Sequence, residues 1–311
     1  MALHPQVEKF LAELAKAKTP TLDQLPIDVT RRALVLGSAA DPDPPKLAKT
    51  ENRTIIRADG TEMPIRIHTP LGHGPFGVCF YFHGGGWVLN SIETHDTLVK
   101  RLAAGSGCVC INVEYRLAPE HKYPAAPEDA YSAVQWVYEH ASELGCDPNR
   151  IAVSGDSAGG NLAAVVCLMA RDRGGPKIAY QVLIYPITDC DFERPSYYAN
   201  GEGYFLSRNE MVWFWDQYLA SPDQMREPYA SPLRAPSLSD LPPAFVLTAE
   251  YDPLCDEGEA YAKALQQAGV QVTLKRYDGM IHAFVKRFQQ FDTAYEAIGD
   301  ISAELRKAIG N

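Results

Sequence analysis

A chain of 311 residues with 46% hydrophobic and 22% charged residues has a globular balance and can bury roughly three quarters of its unfolded surface, so disorder is not expected. The formal charge of -10, with no local basic cluster, would repel phosphate backbones and anionic lipid, which argues against nucleic acid as a partner. The seven cysteines are odd in number and several lie in apolar runs such as Gly107-Cys108-Val109-Cys110-Ile111, as free core thiols in a reducing compartment would; no disulfide framework and no Cys-x-x-Cys metal pair is expected.

The stretch Met1 to Phe10 lacks the basic start and apolar core of a signal peptide, and no stretch stays apolar for the ~20 residues of a membrane span, so a soluble cytoplasmic protein is expected. Val7, Phe10, Leu11, Leu14 and Ala15 recur at helical spacing over residues 5–18, and a second helical stretch, Val29 to Leu36, precedes the turn-rich Asp41-Pro42-Asp43-Pro44-Pro45. Thr54 to Ala58 and Met63 to His68, separated by Asp59-Gly60, read as a hairpin. Phe76 to Phe82 is unbroken in its apolar character and predicts a strand buried on both faces. Helices near 92–104, 127–143 and after Ser157 then alternate with strands at 107–113, 151–154 and 180–185, the pattern of a parallel sheet covered by helices. Between 186 and 242 the alternation lapses into a segment rich in Tyr, Trp and Pro that reads as an insertion. A strand at 244–248, a helix at 257–268, a strand at 270–277 and a helix at 290–309 close the chain.

The apolar run Ile151-Ala152-Val153-Ser154 ends abruptly in Gly155-Asp156-Ser157-Ala158-Gly159, and a small-residue helical segment follows at once. A nucleophile elbow needs this strand, tight turn and helix, with small residues two positions either side of the serine so that the elements can approach. An ordinary glycine-rich βα turn has the same local look. A serine hydroxyl is a weak nucleophile, so catalysis needs a base beside it and a group to orient that base. Of the eight histidines, His83 and His282 follow strands, where sheets of this kind place their sites. His282, after the strand 270–277, is the candidate base, and a surface-loop histidine is its bland alternative. In the loop after 244–248, Glu250 is nearly still in the strand, while Asp256 and Glu257 open the next helix, where carboxylates favour the positive end of the dipole. Asp252 remains as the orienting acid. The order Ser157, Asp252, His282 is that of α/β-hydrolase triads.

His83-Gly84-Gly85-Gly86-Trp87 can supply backbone N–H groups to a developing oxyanion, with Ala158 as a further donor. Three glycines also suit a phosphate loop, but no Lys-[Ser/Thr] follows them. With these motifs in hand, the sequence resembles the hormone-sensitive-lipase-like carboxylesterases. The resemblance rests on His83 to Trp87, Tyr115-Arg116-Leu117-Ala118-Pro119-Glu120, Gly155 to Gly160, Asp252 to Gly258 and Met280-Ile281-His282. It implies an α/β-hydrolase fold, with a mostly parallel eight-stranded sheet flanked by helices, and hydrolysis of short- to medium-chain acyl esters without metal or cofactor. Ser157 is then the nucleophile, His282 the base, Asp252 its orienter, and Gly85, Gly86 and Ala158 the oxyanion donors, with His83 steadying the glycine loop.

Two positions depart from the family pattern: Ala283 stands where glycine is usual and Cys255 where a longer side chain is common. The resemblance further implies a helical cap made of residues 1–50 and 186–225 over a core of 51–185 and 226–311. Trp87, Tyr204, Phe205 and Met211 are the expected substrate-binding residues, although such side chains can equally glue the cap to the body. Tyr115 to Glu120 is expected to brace a loop, and a homodimer through the strand 270–277 is a family-based expectation. Amide hydrolysis on the same triad, and ligand binding without turnover, are the rival readings. The presence of His282 argues against the second.

Overall fold

The computed structural model describes residues 2–17, 22–38, 41–57 and 59–310. An eight-stranded sheet runs in the order β1-β2-β4-β3-β5-β6-β7-β8, with β1 Lys49–Ile56, β2 Glu62–Thr69, β3 Phe76–Phe82, β4 Val109–Val113, β5 Cys146–Asp156, β6 Tyr180–Ile184, β7 Ala244–Tyr251 and β8 Val272–Ile281. β1 and β2 form the antiparallel hairpin read from the sequence, β2 pairs antiparallel with β4, and every other pairing is parallel. β3 shows why its apolar run has no alternation. Val78, Phe80 and Phe82 pack into one core and Cys79 and Tyr81 into the other, so neither face meets water. Each such buried apolar side chain stabilises the fold by about 1.5–3 kcal/mol relative to exposure.

Helices α3 (Ile92–Ser106) and α9 (Asp292–Ile309) cover one face, and α4 (Ala125–His140), α5 (Ala158–Asp172) and α8 (Cys255–Gln267) the other. α5 is buried along nearly its whole length, as its run of Ala, Val and Leu requires. Two strands run further than their sequence patterns suggest. β5 begins at Cys146 because that residue pairs with Phe76 despite the turn-like Asp147-Pro148-Asn149. β8 continues past Asp278-Gly279 to Ile281, with Gly279 at φ 75° and a register shift between Ala249 and Tyr251 absorbing the irregularity.

The N-terminal helices α1 (Pro5–Ala17) and α2 (Ile27–Leu36), and the inserted helices α6 (Pro195–Ala199) and α7 (Arg208–Tyr218), lie outside the sheet layers. Val7 is fully buried, and Phe10 meets Phe205 at 6.0 Å and Phe291 at 5.5 Å between ring centroids. Arg31 of α2 donates to the Val88 and Ala118 carbonyls, each at 2.8 Å, and holds Glu120 at 2.8 and 2.9 Å. The Tyr115–Glu120 segment thus braces α2 at one end. At its other end Arg116 pairs with the buried Asp129 at 2.7 Å. All seven cysteines are free, and no helix among the described residues is long and apolar enough to cross a membrane.

Candidate active site

The turn between β5 and α5 carries Ser157 at φ 58° and ψ -118°, a conformation that costs a non-glycine residue on the order of 1–3 kcal/mol. Its flanking glycines explain how the turn closes. A Cβ on Gly155 would overlap the Gly159 backbone, and a Cβ on Gly159 would overlap the Phe82 carbonyl. The end of β3 therefore touches the first turn of α5. Backbone bonds from Ser157 N–H to the Ile184 carbonyl at 2.8 Å and from Asn161 N–H to the Ser157 carbonyl at 3.0 Å hold the turn in place.

β7 and β8 deliver the other two groups. His282 follows the last residue of β8, and its Nε2 lies 3.0 Å from Ser157 Oγ while its Nδ1 lies 2.6 Å from Asp252 Oδ2. Asp252 is fully buried just beyond β7, and its Oδ1 accepts the Leu254 N–H at 2.9 Å. An acceptor at Nδ1 keeps that nitrogen protonated and leaves the Nε2 lone pair for the serine hydroxyl. The sequence-predicted trio is thus brought together across separations of 95 and 30 positions.

The glycine loop after β3 is sorted by its hydrogen bonds. Gly84 N–H donates to Asp156 Oδ1 at 2.9 Å, whereas the N–H groups of Gly85, Gly86 and Ala158 have no acceptor among the described residues. Gly85 sits at φ 118° and Gly86 at φ 59°, and a Cβ on Gly86 would overlap the ring of Phe214 in α7. The loop is steadied from below. Tyr115 Oη donates to the His83 carbonyl at 2.7 Å, and His83 Nδ1 lies 2.9 Å from the Gly84 carbonyl. Burial drives the His83 pKa down to about 3, so the ring is neutral and Nδ1 carries the proton. Burial works against ionisation of Asp156, but His95, Lys286 and the Tyr81 hydroxyl outweigh it and hold the carboxyl below its ordinary range.

The four expected substrate-binding residues separate into two groups. Trp87 is fully buried, stacked on Tyr218 at 4.0 Å and edge-on to Trp215 at 4.8 Å, and Met211 is 1% exposed, so both sit inside the seam between glycine loop and inserted helix. Tyr204 and Phe205 are only half-buried; Tyr204 packs on Tyr251 at 5.0 Å, and Phe205 packs on Phe10 and on the Arg287 guanidinium at 4.5 Å. Other neighbours carry no sequence signal of their own. The Tyr185 ring lies 4.8 Å from His282. Asn200 Nδ2 donates to the Glu250 carbonyl at 3.0 Å and the Asp252 carbonyl at 3.3 Å. Asn90 Nδ2 donates to the Gly84 carbonyl at 3.0 Å. Ala283 adopts φ 61°, which explains why glycine suits this position, and Cys255 is a buried free thiol 3.6 Å from Glu259 Oε1.

The chain matches the α/β hydrolase fold family over residues 79–286. It belongs to the α/β-hydrolases, among their hormone-sensitive-lipase-like carboxylesterases. It is similar to carboxylesterase NlhH of Mycobacterium tuberculosis, at 41% identity over 273 residues that cover 86% of each chain. An arylesterase of Saccharolobus solfataricus is 39% identical over 288 residues, covering 92% of this chain and 93% of its own. Among solved structures, the hyperthermophilic esterase from Pyrobaculum calidifontis superposes with a TM-score of 0.92 at 42% identity, covering 99% of both chains.

Proposed function

We propose that this chain hydrolyses carboxylic esters of short- to medium-chain acids, small-molecule substrates, through an acyl-enzyme on Ser157. The observation that carries the reading is the unbroken hydrogen-bonded line from Ser157 Oγ through His282 to Asp252, with steps of 3.0 and 2.6 Å. His282 Nε2 takes the hydroxyl proton as Oγ attacks the ester carbonyl. The tetrahedral oxyanion rests on the N–H groups of Gly85, Gly86 and Ala158, which are otherwise unengaged among the described residues. His282 then protonates the departing alcohol, and a water activated by the same nitrogen releases the acid. Asp252 holds the imidazole in the tautomer and orientation that both half-reactions need.

Residues 1–50 and 186–225 act as a cap in this reading, supported by the packing of Phe10 on Phe205 and of Phe214 on Gly86. An enclosed, capped site favours short and medium acyl chains over long ones. The outer edge of β8, where Leu274 is 40% exposed, supports a homodimer, and the seven free thiols support a reducing, cytoplasmic setting. Two measurements test the chemistry. Ser157→Ala is expected to leave less than about a thousandth of p-nitrophenyl butyrate turnover. An organophosphate is expected to label Ser157 alone, and a peptide map with the adduct elsewhere would refute the assignment.

A further inference from the structure

A cavity of about 400 Å³ lies where α2, the start of α3 and the chain just beyond His282 meet. Leu34 and Ser38 form its wall on the α2 side, Asn90 and Thr94 on the core side, and Lys286 and Arg287 follow His282 by four and five positions. The wall is one residue from the glycine loop. Asn90 holds the Gly84 carbonyl, and a Cβ on Gly85 would come within 2.7 Å of Asn90 Nδ2. Asn90 is itself 8% exposed, and its Oδ1 is buried with no donor among the described residues.

Of the charges around the cavity, two cations, Lys286 and Arg287, have no ion-pair partner among the described residues. Glu93 is gripped by Arg66 at 2.6 and 3.0 Å, and Asp96 holds Arg66 at 3.0 Å and Lys100 at 2.6 Å, with His68 at 3.5 Å. Asp156 takes the Gly84 N–H and the Tyr81 hydroxyl, each at 2.9 Å. Arg287 is clasped between the rings of Phe10 and Phe205 at 4.8 and 4.5 Å, and Nη1 donates to Gln290 at 3.2 Å. Lys286 forms no hydrogen bond or ion pair among the described residues and interacts with Asp156, Arg287, His83 and His95 only through space. An ammonium that lines the cavity with no hydrogen-bonded partner, and with Asp156 acting on it only through space, can take an anion beside it.

We propose that this cavity is a substrate subsite for a free carboxylate, so that the enzyme prefers esters carrying a second, ionised acid group, held by Lys286 while the ester carbonyl sits at Ser157. The assignment rests on the esterase reading above and deepens it. Burial lowers the Lys286 pKa to about 8, so the amine is mostly charged at neutral pH and loses its charge a little above it. Asp156 opposes that shift and Arg287 adds to it.

The test compares kcat/KM for monoethyl adipate with that for ethyl 6-oxoheptanoate, its neutral methyl-ketone isostere, by proton release. The wild-type enzyme is expected to prefer the carboxylate at least about fivefold at pH 7. That preference should fade as the pH rises through 8. Lys286→Met should abolish it and Lys286→Arg preserve it; the readout is a ratio within one enzyme, so a general loss of activity cancels. Should Lys286→Met turn over neither ester, the pH course of the wild-type ratio decides. Free adipate should inhibit p-nitrophenyl butyrate hydrolysis competitively. A wild-type ratio of one or less, a ratio unmoved by Lys286→Met, or non-competitive adipate inhibition, which marks a separate effector site, overturns the proposal. Failure of the esterase reading looks different: the wild-type enzyme would not turn over p-nitrophenyl butyrate at all.

Discussion

Substituting alanine for Gly159 pits helix propensity against the closeness of β3 and α5. In an open helix the change would stabilise by about 0.5–1 kcal/mol, because glycine loses more backbone entropy on folding. At Gly159 the new Cβ overlaps the Phe82 carbonyl oxygen and comes within 2.5 Å of the Phe82 carbonyl carbon and 2.8 Å of the His83 carbonyl carbon. Ordinary contact begins at 3.4 Å, and these atoms are backbone, so with the Phe82 oxygen only 1.8 Å away the end of β3 has to move by as much as 1.6 Å. Overpacking of this kind costs about 1–3 kcal/mol, which outweighs the helix gain. The moving segment carries the glycine loop, and a misplacement near 1 Å costs about 100-fold in rate. Gly299 in α9 is the control, since its Cβ would meet nothing within 4 Å. For a chain of this size 1 kcal/mol corresponds to about 1.5 °C in Tm. Gly299→Ala should therefore raise Tm by about 1 °C with unchanged turnover, and Gly159→Ala should lower Tm by a few degrees and kcat/KM by about 100-fold. Calorimetry and p-nitrophenyl butyrate kinetics on the pair decide. Gly159→Ala with wild-type Tm and activity would sink the steric account of the elbow.

Asp252→Asn should lower kcat by about 10⁴ with little change in KM, since the amide no longer fixes the Nδ1 proton. A loss below tenfold would remove Asp252 as the orienting group. Asn200→Ala removes the amide that donates to the Glu250 and Asp252 carbonyls and should lower kcat about tenfold while KM holds; an effect on KM alone would mean that Asn200 shapes the pocket instead. Glu257 is fully buried, and burial raises its carboxyl from 4.5 to about 8 against the pull of the Thr188 and Asp189 N–H groups and the Tyr197 hydroxyl. A carboxyl raised in the folded state contributes stability below its unfolded pKa and loses it as pH climbs through the folded one. The urea midpoint should fall between pH 5 and 8, and Glu257→Gln should flatten that fall; equal slopes in both proteins would disprove a protonated Glu257.

The alternation of helix and strand was readable because each element buries a face with its own period, and the candidate triad because each proposed member stands at a strand end in the order the fold demands. Contacts between distant segments leave no such trace. Asn200 reaches the acid loop across 52 positions and Tyr81 reaches Asp156 across 75, and neither residue has a local setting that announces a partner. Trp87 and Met211 illustrate the same blindness, because an aromatic or methionine in a glycine-rich or inserted segment reads alike whether it lines a pocket or seals a seam. The strand expected at 270–277 runs on through Asp278-Gly279 as a kink within β8, since pairing of Tyr251 with Ile281 carries it to the residue before His282. Strand length here is set by a partner 30 positions away.

Backbone conformation is the other hidden layer, and it gathers at the site. Seven non-glycine residues among those described have positive φ: Trp87, Asn90, Ser157, Tyr185, Phe205, Asp240 and Ala283. All but Asp240 belong to the glycine loop and the turn after it, the elbow, the end of β6 beside His282, the residue after His282 or the inserted segment above them. Each costs on the order of 1 kcal/mol, which only surrounding burial and hydrogen bonds can offset. Trp87 is fixed by the Tyr218 stack, Asn90 by the Gly84 carbonyl and Ser157 by the Ile184 carbonyl, so the strain is distributed over the groups that present the proposed oxyanion donors and nucleophile. Ala283 carries the same strain without the relief a glycine would bring. The precision of the site therefore depends on packing around it as well as on the proposed triad, which is why Gly159, a residue with no chemistry of its own, is expected to cost about 100-fold in rate when its hydrogen is replaced by a methyl group.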